Sequence, residues 1–290
     1  MKVFFNLVFL LTLISCSKPT FVEDKVFAGS NQVKAHTLNE GEKIYKEYCM
    51  PCHGVKGDGK GFASKGMKVP PRDFTLGIYK FGKVISGDLP HDSDFFAILD
   101  KGLHGTAMLP WDLHNDQKDA VIQYIKTFAM KTWEGGDKKL GDQIKAENDP
   151  FGMAHLGAAI AKGREVYHVT AQCQSCHRAY VNLDDFSAMS KKLNDESVNE
   201  LDDDFYKIKL QESEYGSLTI PPDFTWNTVR SAVTVEELFV RISAGVGGTA
   251  MPGWQETISD EEIWAVSYYV KSLMDLKDTP ARAAFIRELK

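Results

Sequence analysis

Apolar residues recur every three to four positions along several stretches of this chain, which is the periodicity of amphipathic helices. Two long stretches are residues 117–128 and 261–273, and two shorter ones are 95–99 and 237–242. No stretch of any length alternates apolar and polar residues in the manner of a half-buried strand. The pattern therefore predicts an all-α fold.

The helical pattern occurs twice, at a spacing of 124 residues. Each copy has, in the same order, a helical lead-in, a C-x-x-C-H sequence, a proline loop, a short helix, a Gly-Thr-Ala-Met loop and a final helix. The proline loops, 70–75 and 221–225, are expected to be extended because proline donates no backbone hydrogen bond. Ser259 or Asp260 is expected to cap the last helix. The repeat predicts two similar helical domains in tandem.

These patterns divide the chain into five parts. The expected parts are an export signal (1–16), a flexible tether (17–36), a first domain (37–133), a linker (134–158) and a second domain (159–290). The second domain carries an insertion at 184–214 with ten acidic side chains and four lysines. Such a run is typical of a solvated surface. The alternative is a docking face for a basic partner protein, since complementary charge speeds encounter.

The N-terminus resembles the export signal of a bacterial lipoprotein. Lys2 supplies a positive start, and the apolar run over 3–14 is shorter than the ~20 residues that span a bilayer. The run ends in Leu-Ile-Ser-Cys at 13–16, and in a lipobox of this kind the cysteine is acylated. We expect an exported protein on the periplasmic side, anchored to a membrane by a lipid on Cys16. A soluble secreted protein and a short retained anchor are the alternatives.

Composition narrows the possible chemistry. The chain has 290 residues, of which 43% are hydrophobic and 26% charged, as in soluble globular proteins. Its net charge of -6 gives no basic surface for nucleic acid, so none is expected as a partner. Four of the five cysteines belong to the two C-x-x-C-H sequences, and the fifth is Cys16.

The C-x-x-C-H sequence is the attachment signature of c-type haem. Two thiols three positions apart project from one face of a helical turn, so they reach the two vinyl groups of one porphyrin. The following imidazole comes under the ring and binds the iron. The residues are Cys49, Cys52 and His53 in the first copy, and Cys173, Cys176 and His177 in the second. A zinc site and a thioredoxin-type redox pair are the alternatives for these residue types.

The ligand on the other face of each iron decides what such a site does. Met108 and Met251 stand at matching places, each preceded by Gly-Thr-Ala and followed by a proline and a tryptophan. These extended loops suit a thioether laid against iron, which leaves no open coordination position. His104 and His114 flank the first loop, so a His/His site is the alternative there.

Both halves resemble class I cytochrome c domains, of the kind joined in tandem in periplasmic dihaem cytochromes. The order of elements matches that family over residues 37–129 and, apart from the insertion, over 159–274. The resemblance implies two covalently bound haem c groups, with thioether links from Cys49, Cys52, Cys173 and Cys176 and axial ligands His53, Met108, His177 and Met251. It also implies that a proline carbonyl accepts a hydrogen bond from each proximal imidazole, and the candidates are Pro71 and Pro222. Further candidates, for contacts with haem propionates, are Arg72, Trp111 and Trp254.

The second copy departs from the first in two places. Arg178 follows its histidine where Gly54 follows the other, and Asp223 follows its prolines where Arg72 follows the others. We therefore expect the surroundings of the two haems to differ.

Two functions fit these observations. Two closed His/Met haems predict an electron carrier of a respiratory chain, without catalysis of its own, between a donor protein and a terminal reductase, oxidase or dehydrogenase. The alternative is a dihaem enzyme, a peroxidase or a sulfur-compound dehydrogenase, in which one haem is catalytic.

Overall fold

The computed structural model describes residues 18–202 and 204–289. Its helices are α1 (Ala35–Ile44), α2 (Met50–His53), α3 (Asp92–Lys101), α4 (Asn115–Lys126), α5 (Met130–Trp133), α6 (Leu156–Glu165), α7 (Leu183–Asn194), α8 (Val235–Ala244), α9 (Asp260–Met274) and α10 (Pro280–Glu288). The predicted all-α class is confirmed. Among the residues described, no helix is long and apolar enough to cross a membrane. Cys16 and the predicted export signal lie outside them.

Shorter helical turns extend these elements. A π-helical turn continues α1 at Tyr45–Cys49, and another continues α6 at Val166–Thr170. The 3-10 turns are Ala28–Ser30, Phe62–Ser64, Thr127–Ala129, Met153–His155 and Cys173–Ser175. The first π-helical turn ends at Cys49, and the second ends at Thr170, shortly before Cys173, so each C-x-x-C-H sequence follows a change in helix pitch.

A small β-hairpin precedes the first helix. Strand β1 (Lys25–Phe27) pairs antiparallel with β2 (Asn31–Val33). Phe27 is fully buried in the core of the first domain, and Ala28 and Val33 are nearly so. The prediction of a flexible tether over 17–36 does not hold for this hairpin, because its buried apolar side chains attach it to the domain.

The first domain is built on a close crossing of α1 and α4. A Cβ atom on Gly41 would lie 2.0 Å from the backbone oxygen of Ala120, so the helices approach this closely only because residue 41 is glycine. Tyr45, Tyr124 and Ile125 are buried around the crossing. Helices α3 and α4 confirm the helices predicted over 95–99 and 117–128.

The second domain repeats the same crossing with α6 and α9. A Cβ atom on Gly163 would lie 2.0 Å from the backbone oxygen of Ala265. Ser259 caps α9, because its hydroxyl accepts a hydrogen bond from Glu262 N–H at 3.3 Å while the Glu262 carboxylate accepts one from Ser259 N–H at 2.9 Å. Helices α8 and α9 confirm the helices predicted over 237–242 and 261–273.

The segments outside the crossings bring the two domains together. In the predicted linker, Ile144 is buried and its N–H donates to Lys83 O at 2.7 Å. In the second domain, Ala244 O accepts a hydrogen bond from Ser86 N–H at 2.8 Å. The acidic insertion begins with α7, and the chain then forms a turn in which residues 211 and 219 pair across a β-bridge. The domains are therefore in contact through backbone hydrogen bonds as well as side chains.

Candidate functional site

Each C-x-x-C-H sequence leaves the first helix of its domain in a tight turn. The first passes through α2, and the second begins in a 3-10 turn in which His177 N–H donates to Cys173 O at 2.9 Å. All four cysteines are half-buried free thiols. Burial raises the pKa of Cys49 and of Cys173 to about 12. Each site therefore offers a pair of thiols within one helical turn.

Each candidate proximal histidine is held by a backbone carbonyl. His53 Nδ1 lies 3.1 Å from Arg72 O, and His177 Nδ1 lies 3.3 Å from Pro222 O. A carbonyl only accepts hydrogen bonds, so Nδ1 carries the proton and Nε2 keeps the lone pair that can bind iron. Burial lowers the pKa of His53 and lowers that of His177 to about 4. Both rings are therefore neutral at neutral pH, as metal ligation requires.

The two proline loops correspond through their Asp-Phe-Thr sequences and not through their prolines. Aligned this way, Arg72 stands opposite Pro222, and Asp73 stands opposite Asp223. The carbonyl of the predicted acceptor Pro71 instead lies against Gly59. That prediction was wrong by one residue because the first loop has an extra residue between its prolines and its aspartate. Arg72 therefore contributes its carbonyl to the site.

A phenylalanine stacks on each of these imidazoles. The ring centroids of His53 and Phe74 are 4.6 Å apart with an interplanar angle of 20°. Those of His177 and Phe224 are 4.9 Å apart at 19°. The stacked ring and the carbonyl together fix both the plane and the rotation of each imidazole, which orients Nε2 for a ligand.

A tyrosine from each helix crossing fixes the residue after the histidine. The Tyr45 hydroxyl donates to Gly54 O at 2.7 Å, and the Tyr167 hydroxyl donates to Arg178 O at 2.8 Å. Both tyrosines are almost fully buried, and burial raises the pKa of each. The crossing helices are thereby connected to the C-x-x-C-H turn in both domains.

The two Met loops share one hydrogen-bond pattern. Thr106 Oγ1 donates to Leu103 O at 2.7 Å and accepts from Met108 N–H at 3.1 Å, and Met108 O accepts from Leu103 N–H at 2.8 Å. The corresponding three distances around Thr249 and Met251 are 2.7, 3.3 and 3.1 Å. Both methionines are half-buried. Two loops of different surroundings thus present methionine in the same way.

The first loop also distinguishes Met108 from the two flanking histidines. His104 is exposed, and His114 is an exposed residue at the start of α4 whose N–H donates to the Gln117 side chain at 2.9 Å. Met108 packs against the same core cluster as Cys49. This placement favours Met108 over either histidine as the ligand opposite His53.

The remaining predicted residues lie around the loops. Trp111 has its ring centroid 5.7 Å from that of Tyr48, the residue before the first cysteine. Trp254 packs on the core of the second domain. The Arg72 guanidinium lies 4.0 Å over the ring of Tyr215, so the side chain points toward the other domain.

A charged network sets the second site apart. Arg178 stands where the first copy has Gly54, whereas Asp223 matches Asp73 and is not the departure expected from the aligned prolines. Arg178 and Asp223 form an ion pair at 3.6 Å, and Arg282 of α10 lies 3.9 Å from the same carboxylate. The Tyr180 hydroxyl donates to Asp223 at 3.1 Å, and Asp223 is only 7% exposed. Asp73, the matching residue of the first domain, is more exposed and accepts hydrogen bonds from a neighbouring threonine. Only the second histidine therefore has this network beside the carbonyl that holds it.

The donor set of each site fits a covalently bound haem. Each offers two thiols one turn apart, a neutral imidazole tied through Nδ1 and a half-buried thioether on an extended loop. Within residues 18–202 and 204–289, no group of three or more His, Cys, Asp and Glu side chains is arranged to hold a metal ion. The cysteines would link the porphyrin, and the histidine and methionine would supply ligands to its iron.

A helix crossing, a C-x-x-C-H turn and a Met loop in this order define a c-type cytochrome domain, and the chain contains the set in each half. The chain belongs to the family described as cytochrome c oxidase, cbb3-type, subunit III, whose model matches residues 36–125 and 158–270. Membership implies covalent haem c and a role in electron transfer.

A similar fold occurs in a solved structure that aligns with most of the chain. It is a chain of the Kuenenia stuttgartiensis reducing HAO-like protein complex, with 29% sequence identity and a TM-score of 0.64. The match covers 81% of this chain and 95% of that one, so it extends over both domains. A comparison with curated protein sequences found no match.

Sequence reasoning missed several residues that shape the sites. They are the crossing glycines, the stacking phenylalanines, the hydroxyl-donating tyrosines and the loop threonines: Gly41, Gly163, Phe74, Phe224, Tyr45, Tyr167, Thr106 and Thr249. Each recurs at the same place in the two copies. A residue-by-residue pairing of the copies therefore carries the signal that identifies them.

Proposed function

We propose that this chain is a dihaem c-type cytochrome that carries single electrons on the periplasmic side of a bacterial membrane. His53 and Met108 would hold the iron of the first haem, and His177 and Met251 would hold that of the second. When bound, each haem supplies a one-electron change between ferric and ferrous iron. The protein's own residues attach the group, orient its ligands and occupy both axial positions.

The observation that carries this proposal is the shared hydrogen-bond pattern of the two Met loops. The threonine hydroxyl closes each loop and holds the methionine backbone, so the loop is already shaped before its thioether binds iron. A site closed by histidine below and methionine above has no free position for a substrate. Such a site suits electron transfer better than catalysis.

The proximal contacts support the same function. The carbonyls of Arg72 and Pro222 accept the Nδ1–H of the two histidines, which raises the basicity of each ligand nitrogen. The methionine sulfur acts in the opposite direction, because it favours ferrous iron. The protein thus adjusts each potential with contacts on both faces.

The partners are redox proteins held near a membrane. A lipid on Cys16 would keep the carrier at the membrane surface, where a donor and a terminal reductase, oxidase or dehydrogenase can reach it. The resemblance to a chain of an HAO-like complex is compatible with a carrier that serves a catalytic partner. Replacing Cys16 by serine should release the protein from the membrane fraction, and continued retention of the C16S variant would contradict the anchor.

A dihaem enzyme, such as a peroxidase or a sulfur-compound dehydrogenase, is the second candidate. The observation that favours it is the same resemblance, because the related chain belongs to a complex described as reducing. In an enzyme, one iron would need an exchangeable axial position.

Carbon monoxide separates the two candidates, because it binds ferrous haem only where an axial position is open. We expect the reduced holoprotein to keep its spectrum under carbon monoxide and to turn over no peroxide. A spectral shift from one of the two haems, together with turnover, would establish the enzyme instead.

A haem assay on the variants C49A and C173A should show that each loses one of two haems per chain.

A further inference from the structure

The Met251 loop packs tightly on the first domain. Gly247 N–H donates to Lys80 O at 3.1 Å, and a Cβ atom on Gly247 would lie 2.1 Å from Tyr79 O. Any other residue at 247 would push the loop away from this backbone. The loop therefore depends on a glycine for its contact with the other domain.

The Met108 loop has no equally close contact at the matching position. His104 corresponds to Gly247, and its side chain is exposed. The approach of this loop's glycines to the other domain is looser, since a Cβ atom on Gly105 would lie 3.4 Å from Thr228, an ordinary contact distance. The two loops share their internal hydrogen bonds but differ in their support.

Arg241 attaches the base of the Met251 loop to the same segment of the first domain. Its Nη1 lies 3.4 Å from Lys80 O, 3.2 Å from Gly82 O and 3.0 Å from Gly245 O. The side chain is 8% exposed, so these contacts are made away from solvent. The matching residue in the first domain is Ile98, which has no hydrogen-bonding side chain. The arginine thus links the end of α8, where the loop begins, to the first domain.

Tyr215 supports the loop from its other side. Its hydroxyl donates to Gly247 O at 2.8 Å. Its ring lies 4.0 Å below the Arg72 guanidinium, and the carbonyl of Arg72 holds His53. Tyr215, which directly follows the acidic insertion, therefore contacts both Arg72 of the first site and the Met251 loop of the second.

We propose that the first domain is a part of the second haem site, because it holds the Met251 loop in the shape that presents the thioether to iron. Gly247, Arg241 and Tyr215 are the positioning residues. The inference rests on the proposed His/Met ligation. It follows that Met251 ligation depends on docking of the two domains, whereas Met108 ligation depends on the first domain alone.

The direct test is G247A in the holoprotein, since its Cβ atom cannot fit against Tyr79 O. The ferric sulfur-to-iron band in the near-infrared should fall to about half, because one methionine of two is lost. Amide hydrogen exchange at Met251 should accelerate by on the order of tenfold or more, while exchange at Met108 stays unchanged. The matched control is H104A, which should leave the band and both exchange rates at their wild-type values.

Two milder variants cover the case in which G247A fails to fold. Y215F loses only the hydroxyl bond to Gly247 O, whereas Y215L also loses the ring under Arg72. We expect exchange at Met251 to increase in the order wild type, Y215F, Y215L. Unchanged exchange and an unchanged band in Y215L would overturn the proposal and leave the electron carrier intact. An equal increase in exchange at Met108 and Met251 would also overturn the proposal. If the wild-type protein shows the band intensity of only one His/Met haem, the ligation scheme on which the proposal rests is wrong instead.

Discussion

The two candidate haem sites make the same contacts to each proposed iron ligand and differ in what surrounds those contacts. Both have the carbonyl on Nδ1, the stacked phenylalanine and the threonine-closed Met loop. They differ at the residue after the histidine, at the aspartate of the proline loop and in the support of the Met loop. The shared residues therefore define what one site needs, and the differing residues are where the two haems can acquire unequal potentials.

The differences also give the domains unequal roles. The residues that contact the proposed ligands of the first site all belong to its own domain, although Arg72 also packs on Tyr215 and Gly105 lies near Thr228 of the second domain. At the second site, Arg282 of α10 contacts Asp223, and Gly247 packs against the backbone of the first domain. A repeated domain thus became dependent on its neighbour at one copy only.

The largest effect is expected where the two domains are the same, at the helix crossing. G163A and G41A each place a Cβ atom 2.0 Å from a backbone oxygen, which a side-chain movement cannot relieve. Each should lower the free energy of unfolding by about 3 kcal/mol or more. The matched control is G157A on the exposed side of α6, which meets nothing within 4 Å and should stabilise by up to about 1 kcal/mol. Urea unfolding measures both, and a G163A variant as stable as G157A would contradict the crossing.

The next effect separates the two proline loops. D223N removes the charge that lies between Arg178 and Arg282, and it should cost about 2 kcal/mol because the carboxylate is buried with its partners only partly exposed. D73N in the first loop should change stability by less than about 0.5 kcal/mol. Urea unfolding and redox titration of both variants test this. Equal effects would show that the network does not distinguish the sites.

The second domain contains a further buried histidine, His168, that has no counterpart in the first and gives it an additional pH dependence. His168 Nδ1 lies 2.8 Å from Arg164 O and Nε2 accepts from Tyr180 N–H at 3.0 Å; burial lowers its pKa from 6.5 to about 3. Below pH 6.5 the unfolded chain binds a proton there and the folded chain does not. The free energy of unfolding should therefore decrease as the pH is lowered below 6.5, by roughly 2 kcal/mol at pH 5. The first domain has the exposed Lys46 at this place.

The test is urea unfolding of wild type and H168Q at pH 7 and at pH 5. H168Q should lose less stability on acidification than wild type, whatever its stability at pH 7. An identical loss in both proteins would show that another group causes the acid sensitivity.

The smallest effect tests the shared Met loops. T106V and T249V keep the side-chain volume but remove the hydroxyl that closes each loop. Each should cost about 1 kcal/mol of loop stability. Displacement of methionine by added imidazole measures this at each haem, with serine variants as controls that keep the hydroxyl. Clearly unequal effects would show that the common hydrogen bonds do not set loop strength.

Much of this architecture was predictable because it rests on local patterns. Helical periodicity gave α3, α4, α8 and α9, and the repeated C-x-x-C-H and Met loops gave the order of elements. The hairpin of β1 and β2 was missed because three-residue strands are too short to show alternation. The Nδ1 acceptor in the first domain was misplaced by one residue because the prolines, and not the Asp-Phe-Thr sequence, were aligned.

The interdomain contacts had no local signal at all. Gly247 is one of several glycines in its loop, and its need for close approach becomes visible only when Tyr79 lies against it. Tyr215 similarly follows an acidic run whose composition indicates only a solvated surface. Such contacts depend on the packing of residues far apart in the sequence, which periodicity and motif spacing do not encode.

The central claim is that each haem iron is closed by its own methionine. The most direct measurement is the near-infrared sulfur-to-iron band of the ferric holoprotein, quantified per haem in wild type and in M108A and M251A. We expect wild type to show the intensity of two His/Met haems, and each variant to lose about half of it. A high-spin haem in wild type, or a band that survives either replacement unchanged, would contradict the claim.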